Sequence, residues 1–207
     1  MERDLVRIAV SACLLGEPCR YDGRAKPCAR VQELSDRGHE LVPVCPEVAG
    51  GLPTPRTPCE IVHAPWMGAS RIEHASEAQV ESHAANAEQD ARAAEDARAS
   101  AQRPTTQEGS SGTGQPATLW KIVGANGADR TAAYERGARI ELARAKEAGC
   151  ELAILKAKSP SCGVREVHDG TFSGVLVAGQ GIAAALFREA GIAVIDEKTD
   201  FDQLLRI

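Results

Sequence analysis

"LAILKAKSPSCG", residues 152 to 163, joins a four-residue apolar run to a turn built from small, stiff residues around one thiol. The run is too short for a helix and suits a strand buried on both faces. It stops at Lys156, and Pro160 and Gly163 then shape a turn that presents Ser159, Ser161 and Cys162.

The flanking segments continue this pattern. Before it, "TAAYERGARIELARAKEAG", residues 131 to 149, predicts a helix that starts at Thr131 and stops at Gly149. After it, "GQGIAAALFREAG", residues 179 to 191, predicts a helix opened by a glycine turn whose amino end offers an anion site, and "IAVIDE" predicts a further strand. Nearer the start, "LVRIAVSAC", residues 5 to 13, and "HELVPVC", residues 39 to 45, read as strands on either side of a short helix over 28–38. Pro46, Pro53, Pro55 and Pro58 then mark a stiffened loop. Strands alternating with helices imply a single three-layer α/β domain with a mainly parallel sheet, whose chemistry gathers at the carboxyl ends of the strands.

Only 3% of the 207 residues are aromatic, so a sizeable part of the chain is not packed core. That part is residues 64–118, where four Arg stand against eight Asp or Glu. Its stretch from 69 to 103 is Ala-rich with Ile72 and Val80 as its large aliphatics, and a Gly/Ser/Thr-rich linker follows. The expected organisation is therefore one domain over 1–63 and 119–207, interrupted by a low-complexity insertion. A solvated excursion is the favoured reading of the insertion, and a protein partner recruited through it is the alternative. Outside it, 20 basic residues nearly balance 21 acidic ones, which gives no electrostatic case for nucleic acid or an anionic membrane. No apolar stretch approaches a membrane span and the start lacks a signal-peptide pattern, so a cytoplasmic location is expected.

The seven cysteines are an odd number without any Cys-x-x-Cys, which argues against a disulfide framework and against zinc-ribbon or ferredoxin runs. Three of them, Cys13, Cys45 and Cys162, stand at or just beyond predicted strand ends. Thiolates suit zinc or iron-sulfur centres, and three of them leave one coordination position open. Cys19, in the first loop, is an alternative ligand, whereas Cys28, Cys59 and Cys150 carry weaker signals. Glu47 follows Cys45 by two residues and, in extended backbone, faces the same side, which makes it the candidate general acid or base. Ser159 and Ser161 are candidates to reach the same site, Ser161 and Arg56 are the candidate substrate-binding residues, and Asp22 and Asp169 precede glycines as turn residues do.

These segments, "VSACLLGEPCRYDG", "CPEVAGGLPTPR", "AILKAKSPSCG" and "HDGTFSGVLVAGQGIAAALF", closely resemble the bacterial thiouracil desulfidase family over residues 5–63 and 119–197. The resemblance implies an α/β domain in which Cys13, Cys45 and Cys162 bind a 4Fe-4S cluster with one open iron, with Glu47 and Ser159 as catalytic helpers. It further implies a small thiolated base or nucleoside as substrate, desulfurated without net redox change. His168 stands where such proteins usually carry tyrosine. Two other readings of the same residues are a zinc hydrolase on the three cysteines and a non-enzymatic thiol or cluster sensor whose insertion binds a partner.

Overall fold

The computed structural model describes residues 5–63 and 120–201. Its central sheet has four strands, β1 (Arg7–Ser11), β2 (Glu40–Val44), β5 (Leu152–Leu155) and β8 (Ala193–Asp196), in the order β2-β1-β5-β8. All three pairings are parallel, and β1 and β5 lie at the centre. Their sequences explain that position: Ile8, Ala9 and Val10 of β1 and Ala153, Ile154 and Leu155 of β5 have no exposed surface.

Alternate residues of each strand serve opposite layers. Ile8, Val10, Leu152 and Ile154 pack with Val31 and Leu34 of helix α1 (Ala29–Asp36) and with Phe201. Ala9, Val42, Val44, Ala153 and Leu155 pack on the other side. That side is covered by Ala145 of α3 (Thr131–Glu147) and by Ala184 and Phe187 of α4 (Ile182–Glu189). The result is the three-layer α/β arrangement expected from the strand and helix alternation.

Two small antiparallel sheets join this frame. Strand β3 (Cys59–His63) pairs with β4 (Trp120–Gly124), and β6 (Glu166–His168) with β7 (Leu176–Ala178). His63 lies directly opposite Trp120, so the two ends between which the unusual segment runs are neighbours. Residues 64–118 themselves, and the readings that concern them, lie outside the described residues.

One local expectation is corrected. The chain after Cys45 is not extended: Pro46–Ala49 form a short helix, α2, with Cys45 at its N-cap and Pro46 in its first turn. Proline suits that place because the first helical N–H has no partner within the helix. Among the described residues, no helix is long and apolar enough to cross a membrane.

Candidate active site

Parallel strands end on one edge of their sheet, and the expected thiols follow those ends. Cys13 lies in the single 3-10 turn Ala12–Leu15 after β1, Cys45 follows β2, and Cys162 lies in the turn after β5. All three line one cavity of about 530 Å³, together with Glu47 and Ser159. The turn that carries Cys162 is held in an unusual backbone conformation, with Lys158 at φ 68°.

Glu47 reaches this cavity from α2. The Ser159 hydroxyl donates to its Oε1 at 3.2 Å, and Arg56 donates to its Oε2 through Nε at 2.8 Å and Nη2 at 2.5 Å. Ser159 Oγ also accepts the backbone N–H groups of Ser161 (3.1 Å) and Cys162 (3.2 Å). One hydroxyl thus ties the carboxylate to the backbone of the Cys162 turn.

The two residues expected to bind substrate are both tied into the protein. Arg56 is 4% exposed. Its five N–H groups are spent on Glu47, on Pro53 O and Thr54 Oγ1 through Nη1 (each 3.1 Å), and on Cys19 O through Nη2 (3.0 Å). Arg56 therefore lines the cavity with its donors already engaged, two of them on Glu47. Ser161 is fully buried and does not line the cavity. Its carbonyl accepts the N–H of Ala183 at 2.9 Å. The anion site expected at the "GQG" turn is also taken: the Ile182 N–H donates to Pro160 O, and an added Cβ at Gly181 would lie 2.3 Å from Ser161 O. The amino end of α4 thus packs on the thiol-bearing turn.

Asp22 and Asp169 have the turn roles expected of them. Asp22 Oδ1 accepts Arg24 N, and Asp169 Oδ1 accepts both the amide and the hydroxyl of Thr171.

Helix α3 sets the height of α2. An added Cβ on Gly137 would lie 1.7 Å from Pro46 O, and one on Gly50 would lie 2.2 Å from Ala133 O. Glycine alone allows so close an approach of the two backbones. Glu141, one turn further along α3, accepts the Cys45 N–H at 3.0 Å and so fixes the backbone of that thiol.

The cavity also holds Cys19, the alternative ligand of the sequence reading, and residues to which that reading gives no part in the site. Cys19, Cys59, Glu60, Tyr134 and His168 all line it. Glu60 Oε2 accepts the N–H groups of Gly170 and Phe172, each at 3.0 Å, and so holds the β6–β7 hairpin against β3. The available signal was alternation along "CEIVH", which puts Glu60 on the face opposite Cys59 and Ile61 and leaves its partner unspecified.

Cys19, Cys45 and Cys162 are held neutral when nothing compensates their charge. Burial pushes Cys162 up to about 12. Cys19 is raised to about 11, chiefly by its contact with Cys13, and Cys45 is raised by its contact with Cys19 and by burial. A cationic centre would supply the missing compensation, because metal coordination deprotonates a thiol outright. Among the described residues, no three His, Cys, Asp or Glu side chains close on a point that one ion could occupy. Thiols from separate segments that face one roomy cavity fit a multi-iron cluster, whose metals sit at separate corners.

An α/β fold with a cysteine-lined cavity at its strand ends suits a thiolate-bound centre. Comparison with known proteins makes this specific: the sequence pattern of the 2-thiouracil desulfurase family matches residues 8–106 and 101–199. The chain belongs to that family and is an enzyme of it. It is 34% identical over 192 residues to the uncharacterized protein YbbK of Bacillus subtilis (strain 168), covering 92% of this chain and 95% of that protein. Among solved structures it is similar to the 4Fe-4S-dependent thiouracil desulfidase TudS, with a TM-score of 0.64 and 32% identity over 97% of this chain and 96% of that one.

Proposed function

We propose that this protein removes sulfur from thiouracil or a related thiolated base by hydrolysis, and that Cys13, Cys45 and Cys162 hold the 4Fe-4S cluster on which the reaction depends. The observation that carries this reading is the convergence of three strand-end thiols and one oriented carboxylate on a single cavity. The donor set fits the cluster: the ligands are soft, they come from three separate segments, and the cavity has room for a small base beside them. The likeness to a 4Fe-4S-dependent desulfidase supports the same reading.

Bound there, a cluster with one iron free of protein ligands supplies a Lewis acid for the thiocarbonyl sulfur. The chain supplies the proton chemistry. Arg56 and Ser159 hold Glu47 at both oxygens, so its carboxylate is oriented before substrate arrives. Glu47 takes a proton from the attacking water, whose oxygen bonds to the ring carbon while the carbon–sulfur bond breaks. Sulfur departs as sulfide, oxygen replaces it, and no electrons are gained or lost. Ser159 acts through Glu47: its hydroxyl donates to the carboxylate and accepts from the backbone of the Cys162 turn, which keeps base and ligand in one frame. The substrate is a free small molecule.

The test is reaction of anaerobically reconstituted protein with 4-thiouracil in water enriched in ¹⁸O. The expected products are sulfide and uracil carrying the label at the former thiocarbonyl carbon. Unlabelled uracil would overturn water attack, and sulfide release from protein loaded with zinc alone would overturn the cluster assignment.

A further inference from the structure

Cys19 is a fourth thiol in the same cavity, and nothing in the proposed reaction uses it. Its thiol lies within hydrogen-bonding reach of both Cys13 and Cys45. Cys45 Sγ is also 4.0 Å from the Cys19 carbonyl oxygen. That same carbonyl accepts from Arg56 Nη2 at 3.0 Å, so the buried cation that orients Glu47 also fixes the backbone of Cys19. A second bond holds the loop: Arg56 N donates to Tyr21 O at 2.8 Å.

The other cavity thiol without a role is differently placed. Cys59 Sγ donates to Thr57 O at 3.5 Å, and its side chain also contacts Tyr134. Cys19 is thus the spare donor that stands among the proposed ligands.

We infer that Cys19 is a displaceable fourth donor, which occupies the cluster's remaining coordination position while no substrate is present and yields it to the substrate's sulfur. This rests on the cluster reading above. The exchange balances without redox change. The Cys19 thiol gives its proton to solvent as its sulfur–iron bond forms. When the thiolated base enters, that bond breaks, the substrate's sulfur forms its own bond to iron, and Cys19 takes a proton back. The resting centre is thereby protected from losing the iron that has no permanent protein ligand.

The experiment compares wild type, Cys19→Ala, Cys19→Ser and Cys59→Ser, each reconstituted anaerobically and assayed for iron and acid-labile sulfide. Each loaded protein is then oxidised mildly with ferricyanide without substrate, and the paramagnetic signal of the three-iron cluster is followed in time. The expected result is a signal that grows several-fold faster in both Cys19 variants than in wild type or Cys59→Ser. Equal rates in wild type and the Cys19 variants, with full iron content in each, would overturn the role of Cys19 and leave the cluster reading intact. Failure of the wild type to take up iron and sulfide would overturn the cluster reading itself, and this inference with it.

Discussion

Arg56 meets Glu47 with two of its five donors on a single oxygen, at 2.8 and 2.5 Å, and leaves the other oxygen to Ser159. The carboxylate is 14% exposed and its cation 4%, so the pair is largely withdrawn from water. Such a pair costs desolvation and is kept stable by its full set of hydrogen bonds. Glu47→Gln preserves shape and removes the base. It is expected to bind iron as the wild type does while lowering kcat by about 10²- to 10⁴-fold, as loss of a general base does. Iron analysis with kcat measured on the same sample checks both.

Arg56→Ala leaves a buried carboxylate without its cation. The expected cost is about 3–5 kcal/mol, the range for breaking one side of a buried ion pair. Arg56→Lys restores charge without the five-donor fork, so it recovers part of the stability and little of the turnover. Urea denaturation of the three proteins, with kcat measured alongside, separates the two effects.

Ser159→Ala removes the acceptor of two backbone N–H groups as well as a donor to Glu47. The expected loss is about 1–3 kcal/mol for the unsatisfied groups. Because one of those groups belongs to Cys162, the variant is also expected to release iron faster to a chelator. Thermal unfolding and chelator kinetics measure each part.

Gly137→Ala tests whether helix packing sets the site. Its added methyl would overlap Pro46 O, so α2 would shift and carry Cys45 and Glu47 with it. Overpacking of this kind costs about 1–3 kcal/mol. A fall in turnover greater than the fall in folded fraction is the expected outcome, with Ile140→Ala on the exposed face of α3 as the unaffected control.

How far the sequence alone reached follows from the same residues. "LAIL", "RIAV" and "ELVPV" are apolar runs of strand length, and burial on both faces is what a parallel sheet requires, so the sheet was legible. Once those strands are parallel, their carboxyl ends fall together, and the shared location of Cys13, Cys45 and Cys162 was legible too. Partners chosen by tertiary packing were not. Arg56 read as a free cation because nothing local reveals that Glu47 and three backbone or hydroxyl oxygens consume its donors. Ser161 looked available because "SPSCG" does not show that α4 closes over it. Glu47 is expected beside Cys45 from the i, i+2 alternation of extended backbone, whereas it reaches the cavity from a helical turn that Pro46 opens.

The antiparallel pairing of His63 with Trp120 gives a further test, on the segment between them. Replacing residues 64–119 by an Asn-Gly turn, the type that closes a two-residue hairpin, is expected to leave the fold, iron uptake and sulfide release unchanged. Loss of sulfide release in a protein that unfolds normally would assign the segment a part in catalysis.

The central claim is that a cluster held by three convergent thiols makes this cavity a desulfidase site. Sulfide released from 4-thiouracil, measured anaerobically for reconstituted protein and for the same protein stripped of iron, tests it most directly. The account predicts continuous release from the first and none from the second. Equal release from both, or none from a fully loaded protein, would contradict it.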